Sequence, residues 1–198
     1  MKRKLTEKKL KHLYRLLSVR MTDFDCGKHC APQNSGVPYC CDKGKVTPVL
    51  FKDEYQWHRQ RGGFWRKMPV KTKSDRKLVE ESCSYNVFAV CPGVQKCRRT
   101  SRSLTCRLFP FEPFLDSTGY VKGLVYQDGD NRSCSLMKKP QHIYNQLYIR
   151  NAIRVWQELV DTFPEDKDLY MRESRKRTRQ AACADKPVCL FTYIRGTP

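Results

Sequence analysis

Four cysteines lie within the twenty residues DCGKHCAPQNSGVPYCCDKG, at positions 25–44 of the chain. Glycine, proline and asparagine separate them and large apolar side chains are few, so this stretch is poor material for a regular helix or strand. Such a segment holds one shape when disulfide bonds or a metal join its cysteines. Burial of the thiols as small apolar groups in a core is the third alternative. The fold of this region therefore depends on which of these roles the cysteines have.

The N-terminal sequence MKRKLTEKKLKHLYRLL lacks the uninterrupted apolar run of a secretory signal, and no later run reaches the roughly 18 apolar residues that span a membrane. We therefore expect a cytoplasmic protein without a transmembrane segment. A reducing compartment disfavours disulfide bonds, and the odd total of eleven cysteines leaves at least one of them unpaired. Metal ligation is accordingly the favoured role.

Most of the cysteines fall into two dense groups. The first has the pattern C-x3-C-x9-CC over residues 26–41, and the second has C-P-x4-C-x8-C-R-x-F-P over residues 91–110. Thiolates select zinc, copper(I) or iron–sulfur clusters over magnesium and calcium. One tetrahedral zinc or one [4Fe–4S] cluster needs four cysteine ligands, so seven thiols fit either one centre with spare cysteines or two centres. The spacing leaves the identity of the metal open.

Four cysteines lie outside these groups. Cys83, Cys183 and Cys189 lack a matching partner, and we expect them to be inert thiols, since unligated cysteine is commonly buried. Cys134, in the sequence NRSCSL, is left open as an additional ligand.

The order of the motifs, CxxxC, then CC, then CP, then a single cysteine and then CRLFP, resembles the YkgJ-type cysteine-cluster family. Proteins of that family are small and are described as zinc- or iron-chelating, and the resemblance covers residues 25–110. It implies a metal centre with ligands among the seven cysteines of the two groups: Cys26, Cys30, Cys40, Cys41, Cys91, Cys97 and Cys106. The cluster is also distantly similar to that of the flagellin lysine N-methylases, which implies a protein-modifying methylase as an alternative.

The formal net charge of +19 would attract nucleic acid, an anionic membrane or an acidic protein. The basic residues collect in four stretches, at positions 2–11, 59–77, 98–107 and 172–179. Such stretches are also typical of solvated helix faces and tails, so charge alone does not identify a partner. We expect an acidic protein partner or a nucleic acid at the basic surface, and the oligomeric state is left open.

Local patterns indicate several helices and few strands. Apolar residues recur at helical spacing over residues 5–19 and 140–161, and a second, more polar helix is predicted over residues 168–180. Residues 46–57 favour a short strand followed by a short helix. Alternation over residues 121–126, followed by the turn sequence DGDN, favours a strand or one arm of a hairpin.

The predicted architecture is a single domain of the α-rich α+β class. Irregular cysteine-bearing loops surround a metal centre and pack against amphipathic helices and a short hairpin. Within the domain, residues 1–21 form a basic N-terminal helix, 22–136 the cysteine-cluster region, 137–182 a helical C-terminal part and 183–198 a tail.

Neither a hydrolytic nor a nucleotide-binding motif such as GxSxG, HExxH or GxGxxG occurs in the chain. Enzymatic activity is therefore left open, and no catalytic residue is assigned. We expect a metal-binding cysteine-cluster protein that carries a [4Fe–4S] cluster in a redox or structural role, with zinc as the alternative metal. A methylase-like enzyme and a zinc-stabilised, basic nucleic-acid-binding protein are the alternative functions.

Overall fold

The computed structural model describes residues 4–127, 134–139, 141–188 and 190–192. The α-helices in these residues are α1 (Glu7–Leu16), α2 (Cys26–Cys30), α3 (Lys52–Gln60), α4 (Lys73–Glu80), α5 (Leu104–Leu108), α6 (Gln146–Thr162) and α7 (Pro164–Cys183). The strands are β1 (Val49–Phe51), β2 (Arg66–Lys67), β3 (Asn86–Val90), β4 (Phe111–Leu115) and β5 (Val121–Tyr126). Helices with two small sheets confirm the mixed α+β class.

Both sheets are antiparallel. The first has the order β1–β3–β2, in which Leu50 pairs with Val87. The second is the hairpin β4–β5, in which Phe111 pairs with Tyr126 and the register shifts between Phe114 and Leu115. Such a shift bends the hairpin where it packs against the helices.

Three predicted elements are confirmed with small shifts at their ends. Residues 5–19 contain α1, residues 46–57 contain β1 and the beginning of α3, and residues 121–126 are β5. The Thr6 side chain accepts a hydrogen bond from the backbone N–H of Lys9, which sets the start of α1. Local patterns of apolar residues were therefore sufficient to find these elements.

Helix α6 begins later than the predicted position 140. The Asn145 side chain accepts hydrogen bonds from the backbone N–H groups of Leu147 (2.9 Å) and Tyr148 (3.3 Å), and this cap fixes the first turn. The predicted first residue, Pro140, lies outside the described residues.

Helix α7 begins earlier than the predicted position 168. Pro164 occupies its first turn, where the missing N–H of proline leaves no hydrogen bond unmade. Phe163 is the one residue between α6 and α7, so the gap between these helices is much shorter than the one between the predicted helices at 140–161 and 168–180.

The segment at positions 25–44, which was expected to be irregular, contains short regular elements. It includes α2 and the 3-10 turns Ala31–Asn34 and Tyr39–Cys41. The basic stretch at positions 59–77 contains β2 and the beginning of α4. The predicted DGDN turn, at positions 128–131, lies outside the described residues.

The main core lies between α1, α6 and the β4–β5 hairpin. Leu13, Leu124 and Val155 are each fully buried there. Burial of one such side chain contributes roughly 1.5–3 kcal/mol. The apolar stripes predicted for α1 and α6 are therefore the faces that hold the domain together.

A smaller core at the β1–β3–β2 sheet contains Leu50, Tyr55, Trp65 and Ala89, whereas Phe163 belongs to the main core. The Phe163 ring stacks on Phe51, with centroids 4.7 Å apart, and on Tyr85, with centroids 4.3 Å apart. Such stacked pairs are worth roughly 0.5–1.5 kcal/mol beyond their buried area. The junction between α6 and α7 thus anchors the first sheet.

Membrane-spanning helices are absent from the described part of the chain, because none of its helices combines the required length and apolar character.

Candidate functional site

A cavity of about 260 Å³ opens where the N-terminal half of the chain meets α5, α6 and the segment after β5. Thiols from separate parts of the sequence form its wall. The cysteines that line this cavity, which we call the cysteine cavity, are Cys26, Cys30, Cys40, Cys106 and Cys134. Four of these five belong to the predicted ligand set, and Cys134 is the residue that the sequence left open. The ten described cysteines are all free thiols.

Cys26 and Cys30 occupy the two ends of α2. The Asp25 carboxylate caps this helix by accepting hydrogen bonds from the backbone N–H groups of Gly27 (3.0 Å) and Lys28 (3.4 Å). Residues four apart in a helix lie on one face, so the CxxxC spacing presents both thiols to the same side. The sequence motif is therefore a paired thiol site in the fold.

The adjacent cysteines lie in the 3-10 turn Tyr39–Cys41. The backbone N–H of Tyr39 donates to Cys30 Sγ at 3.2 Å and ties this turn to α2. In an extended chain neighbouring side chains point to opposite sides, but here the turn brings the Sγ atoms of Cys40 and Cys41 to 4.0 Å. The hydrogen bond between these thiols lowers the pKa of Cys41 to about 7 and raises the pKa of Cys40. Cys41 is thus the more readily ionised of the two.

Cys106 is carried by α5, whose N-cap is the fully buried Ser103. The Ser103 hydroxyl oxygen accepts a hydrogen bond from the backbone N–H of Cys106 at 3.2 Å. Burial raises the pKa of the Cys106 thiol to about 11. A thiol of this kind keeps its proton at neutral pH unless a metal ion takes the place of the proton.

A buried carboxylate fixes the start of α5. Glu54 Oε1 accepts hydrogen bonds from the backbone N–H of Leu104 (2.7 Å) and the Tyr14 hydroxyl (2.5 Å), and Oε2 accepts one from the backbone N–H of Phe51 (3.2 Å). The Tyr14 oxygen lies 2.7 Å from His58 Nε2. Because Tyr14 donates to Glu54, this contact places a proton on His58 Nε2. We call Tyr14, Glu54 and His58 the Glu54 network.

Burial dominates the acid–base properties of the Glu54 network. It raises the pKa of Glu54 to about 7, although the three donors on the carboxylate act in the opposite direction. It also lowers the pKa of His58 to about 4. In mildly acidic solution Glu54 therefore keeps its proton and His58 is neutral.

Cys134 reaches the cavity from a distant part of the chain. It directly precedes the 3-10 turn Ser135–Lys138, which packs against α2. Burial raises the pKa of the Cys134 thiol, and the neighbouring thiols of Cys26 and Cys30 raise it further. Its isolated position in the sequence gave no sign of this contact, because only the packing of the segment after β5 onto α2 creates it.

The remaining predicted ligands, Cys41, Cys91 and Cys97, do not line the cysteine cavity. Cys91 Sγ accepts a hydrogen bond from the backbone N–H of Gly93 at 3.4 Å. Burial raises the pKa of Cys91, and the thiols of Cys97 and Cys41 add to this rise. These three thiols therefore lie within electrostatic range of one another beside the cavity.

The described cysteines that were expected to be inert, Cys83 and Cys183, do not line the cavity. Cys83 is half-buried and Cys183 is exposed at the end of α7. Cys189 lies outside the described residues.

Positive charge surrounds the thiols. Four arginines line the cysteine cavity: Arg20, Arg99, Arg102 and Arg107. Burial lowers the pKa of the Arg102 guanidinium, but the hydrogen bond with Cys97 raises it. The net result is a raised pKa. Guanidinium groups beside thiols favour the thiolate, which is the form that binds metal.

Among the described residues, no three His, Cys, Asp or Glu side chains lie close enough together to bind a single ion. The donor set at the cavity nevertheless fits a soft metal by its chemistry, since thiols predominate and the nearby charges are positive. The metal centre stays a prediction, and four of the seven cysteines predicted to hold it line one cavity.

Sequence reasoning missed the Glu54 network and Arg20. Glu54 lies in the apolar run VTPVLFKDEYQW, where an acidic residue in the first turn of a helix is ordinarily a surface residue that favours the helix dipole. Its burial follows from the packing of α1 and α5 over this turn, for which the sequence contains no local signal.

Comparison with protein-family models, curated proteins and solved structures finds no match. The resemblance to the YkgJ-type family therefore depends on the cysteine motifs alone.

Proposed function

We propose that this protein binds a metal centre at the cysteine cavity, as a [4Fe–4S] cluster with a structural or electron-transfer role. The observation that carries the proposal is the meeting of free thiols from α2, the Tyr39–Cys41 turn, α5 and the segment after β5 at one cavity. Four cysteine thiolates are the usual ligands of such a cluster. When bound, it supplies one-electron redox chemistry, and the chain supplies the ligands, their burial and compensating positive charge.

The cavity has room for a centre larger than a single ion. In a tetrahedral zinc site with Zn–S bonds of about 2.3 Å, the four sulfurs stand about 3.8 Å apart and fill the space around the ion. A cavity of about 260 Å³ lined by five thiols offers more room than such a site uses. A cuboidal cluster of four irons and four sulfides occupies a larger volume.

Zinc is the second candidate, on one specific observation. The 4.0 Å separation between the Cys40 and Cys41 sulfurs is close to the sulfur–sulfur distance of a tetrahedral zinc site. In that case the adjacent cysteines would bind the same ion.

Metal binding should contribute to folding in either case. In the segment at positions 26–41, the side chains of Cys30 and Tyr39 are buried, but most of the others are at least partly exposed. So little buried apolar surface stabilises the segment weakly, and a metal bound only by the folded state adds its binding free energy to folding.

Substitution of single cysteines tests this proposal. Cys30→Ser and Cys106→Ser should each lose metal and yield less soluble protein, because each removes a thiol at the cavity wall. Cys183→Ser is the matched control, since this thiol is exposed at the end of α7. The measurements are metal content and the visible absorption spectrum of protein purified without oxygen.

The outcomes separate the candidates. Brown protein that contains iron and sulfide supports the cluster, whereas colourless protein with stoichiometric zinc supports the second candidate. Absence of bound metal from the wild type, or equal metal content in the three variants and the wild type, would contradict the proposed function.

A further inference from the structure

We propose that the cysteine cavity also holds a small organic anion, bound through a carboxylate or phosphate group by Arg20 and Arg102. The inference rests on the proposed function, because the anion would lie beside the metal centre. It starts from charge: four guanidinium groups and one carboxylate, that of Asp25, line this cavity. Asp25 already accepts the hydrogen bonds that cap α2.

Two of the arginines are fixed by the backbone. Arg99 donates to the carbonyl oxygens of Val19 (2.6 Å) and Ser18 (3.3 Å), just after the end of α1. Arg107 donates to the carbonyl oxygens of Leu17 (3.2 Å) and Arg99 (2.7 Å). Their charges are therefore held at the cavity before any ligand arrives and attract an anion towards Arg20 and Arg102.

The arginines repel one another. Arg20, Arg99, Arg102 and Arg107 line one cavity, so their positive charges lie close together. Arg20 forms no hydrogen bond or ion pair with any residue that the structure describes. The Arg20 side chain is exposed, and together with the other three guanidinium groups of the cavity it creates a positive potential that attracts anions.

The metal centre does not account for all of this charge. A four-thiolate centre with zinc or an oxidised [4Fe–4S] core has a net charge of about −2. The negative charges of this centre and of Asp25 together are fewer than the four positive charges of the arginines, so positive charge remains in excess. An additional anion is therefore compatible with a loaded centre.

The side chains at the cavity indicate the chemistry of the anion. A guanidinium group presents parallel N–H donors that match two oxygens of a carboxylate or a phosphate. Phe24, Phe109 and Tyr148 contribute apolar surface to the same wall. A small organic acid or a phosphate ester combines the two features, an oxyanion for the arginines and a carbon body for the aromatic rings.

Calorimetric titration with inorganic phosphate and, separately, with acetate tests the inference at constant ionic strength. We expect saturable binding of at least one of these anions, and the two titrations distinguish phosphate from carboxylate recognition. Arg20→Gln should weaken this binding about tenfold, since a hydrogen bond to a charged group is worth about that factor or more. Arg66→Gln is the matched control, because Arg66 is exposed on β2 and does not line the cavity.

Metal content, measured in the same samples, separates this inference from the proposed function. A tenfold loss of affinity in Arg20→Gln with unchanged metal content supports the anion site. If the wild type and all variants lack metal, and Arg20→Gln still binds the anion about tenfold more weakly than the wild type, the anion site is supported and the proposed function is contradicted. No saturable binding, equal weakening by Arg20→Gln and Arg66→Gln, or loss of metal from Arg20→Gln would overturn the inference.

Discussion

The Glu54 carboxylate joins α1, β1, α3 and α5 through three accepted hydrogen bonds while fully buried. Burial favours the neutral form of both Glu54 and His58, so in the folded protein the Glu54 carboxyl keeps its proton and His58 is a neutral imidazole that does not take up a second one. In the unfolded chain, between about pH 4.5 and 6.5, Glu54 has lost its proton and His58 has gained one. The number of bound protons is nearly the same in both states, so the network adds little pH dependence to stability.

In a Glu54→Gln variant, the effect of His58 on the pH dependence of the free energy of unfolding should become measurable, because Glu54 no longer compensates for it. The raised pKa of Glu54 stabilises the fold fully below about pH 4.5, and this contribution is lost as the pH rises to about 7. The lowered pKa of His58 acts oppositely, because its contribution is present above about pH 6.5 and is lost as the pH falls towards 4. On acidification from about pH 7 to 5, Glu54→Gln should therefore lose up to about 1.4 kcal/mol more per pH unit than the wild type.

Urea unfolding at several pH values measures this difference. Glu80→Gln is the matched control, since Glu80 is exposed on α4 and should follow the wild type. Parallel pH profiles for Glu54→Gln and the wild type would show that the carboxyl does not titrate as inferred.

Two capped helices show how the same local interaction has different consequences at the scale of an element. Ser103 caps α5, which is packed into the core through Leu104 and Leu108. Thr72 caps α4 by accepting a hydrogen bond from the backbone N–H of Asp75 at 3.0 Å, but α4 has no buried residue. A cap contributes to global stability only where the helix it starts is part of the cooperative core.

Removal of each cap tests this distinction. Ser103→Ala should lower the free energy of unfolding by about 1 kcal/mol or more, because it removes the cap and leaves the Cys106 N–H without its acceptor. Thr72→Ala should leave the global free energy almost unchanged and speed amide hydrogen exchange only within α4. Urea unfolding and hydrogen exchange give the two readouts, and equal global losses in the two variants would refute the distinction.

At the scale of the whole molecule, charge is the dominant feature. Thirty-nine lysine and arginine residues face twenty aspartate and glutamate residues. Several of the ion pairs are exposed, such as Lys77 with Glu81 and Lys11 with Glu7, and exposed pairs are worth roughly 0–1 kcal/mol. Repulsion among the excess cations therefore opposes the compact state.

Salt should consequently stabilise this protein. An increase in sodium chloride from about 10 mM to about 150 mM shortens the screening length from about 30 Å to about 8 Å and weakens the repulsion. The midpoint of thermal unfolding should rise over this range. Potassium chloride serves as the control for sodium-specific effects, and a midpoint that falls with either salt would contradict the expectation.

The elements with a strong local pattern could be predicted from the sequence. The leucines of α1, the broad apolar face of α6 and the alternation in β5 each repeat within a few residues, so their periodicity identifies them without the rest of the fold. The ends of α6 and α7 were less predictable, because the Asn145 cap and the placement of Pro164 select among several nearby start residues.

The sequence by itself determined that thiols are concentrated in two groups and that one of them contains a CxxxC pair, because these are properties of neighbouring residues. Only the tertiary structure decided that Cys134 joins Cys26, Cys30, Cys40 and Cys106 at one cavity. It also decided that Glu54 is buried and that four arginines meet beside the thiols. These contacts join segments far apart in the chain, and their positions follow from how the apolar faces of the helices and the hairpin pack together, which local spacing does not encode.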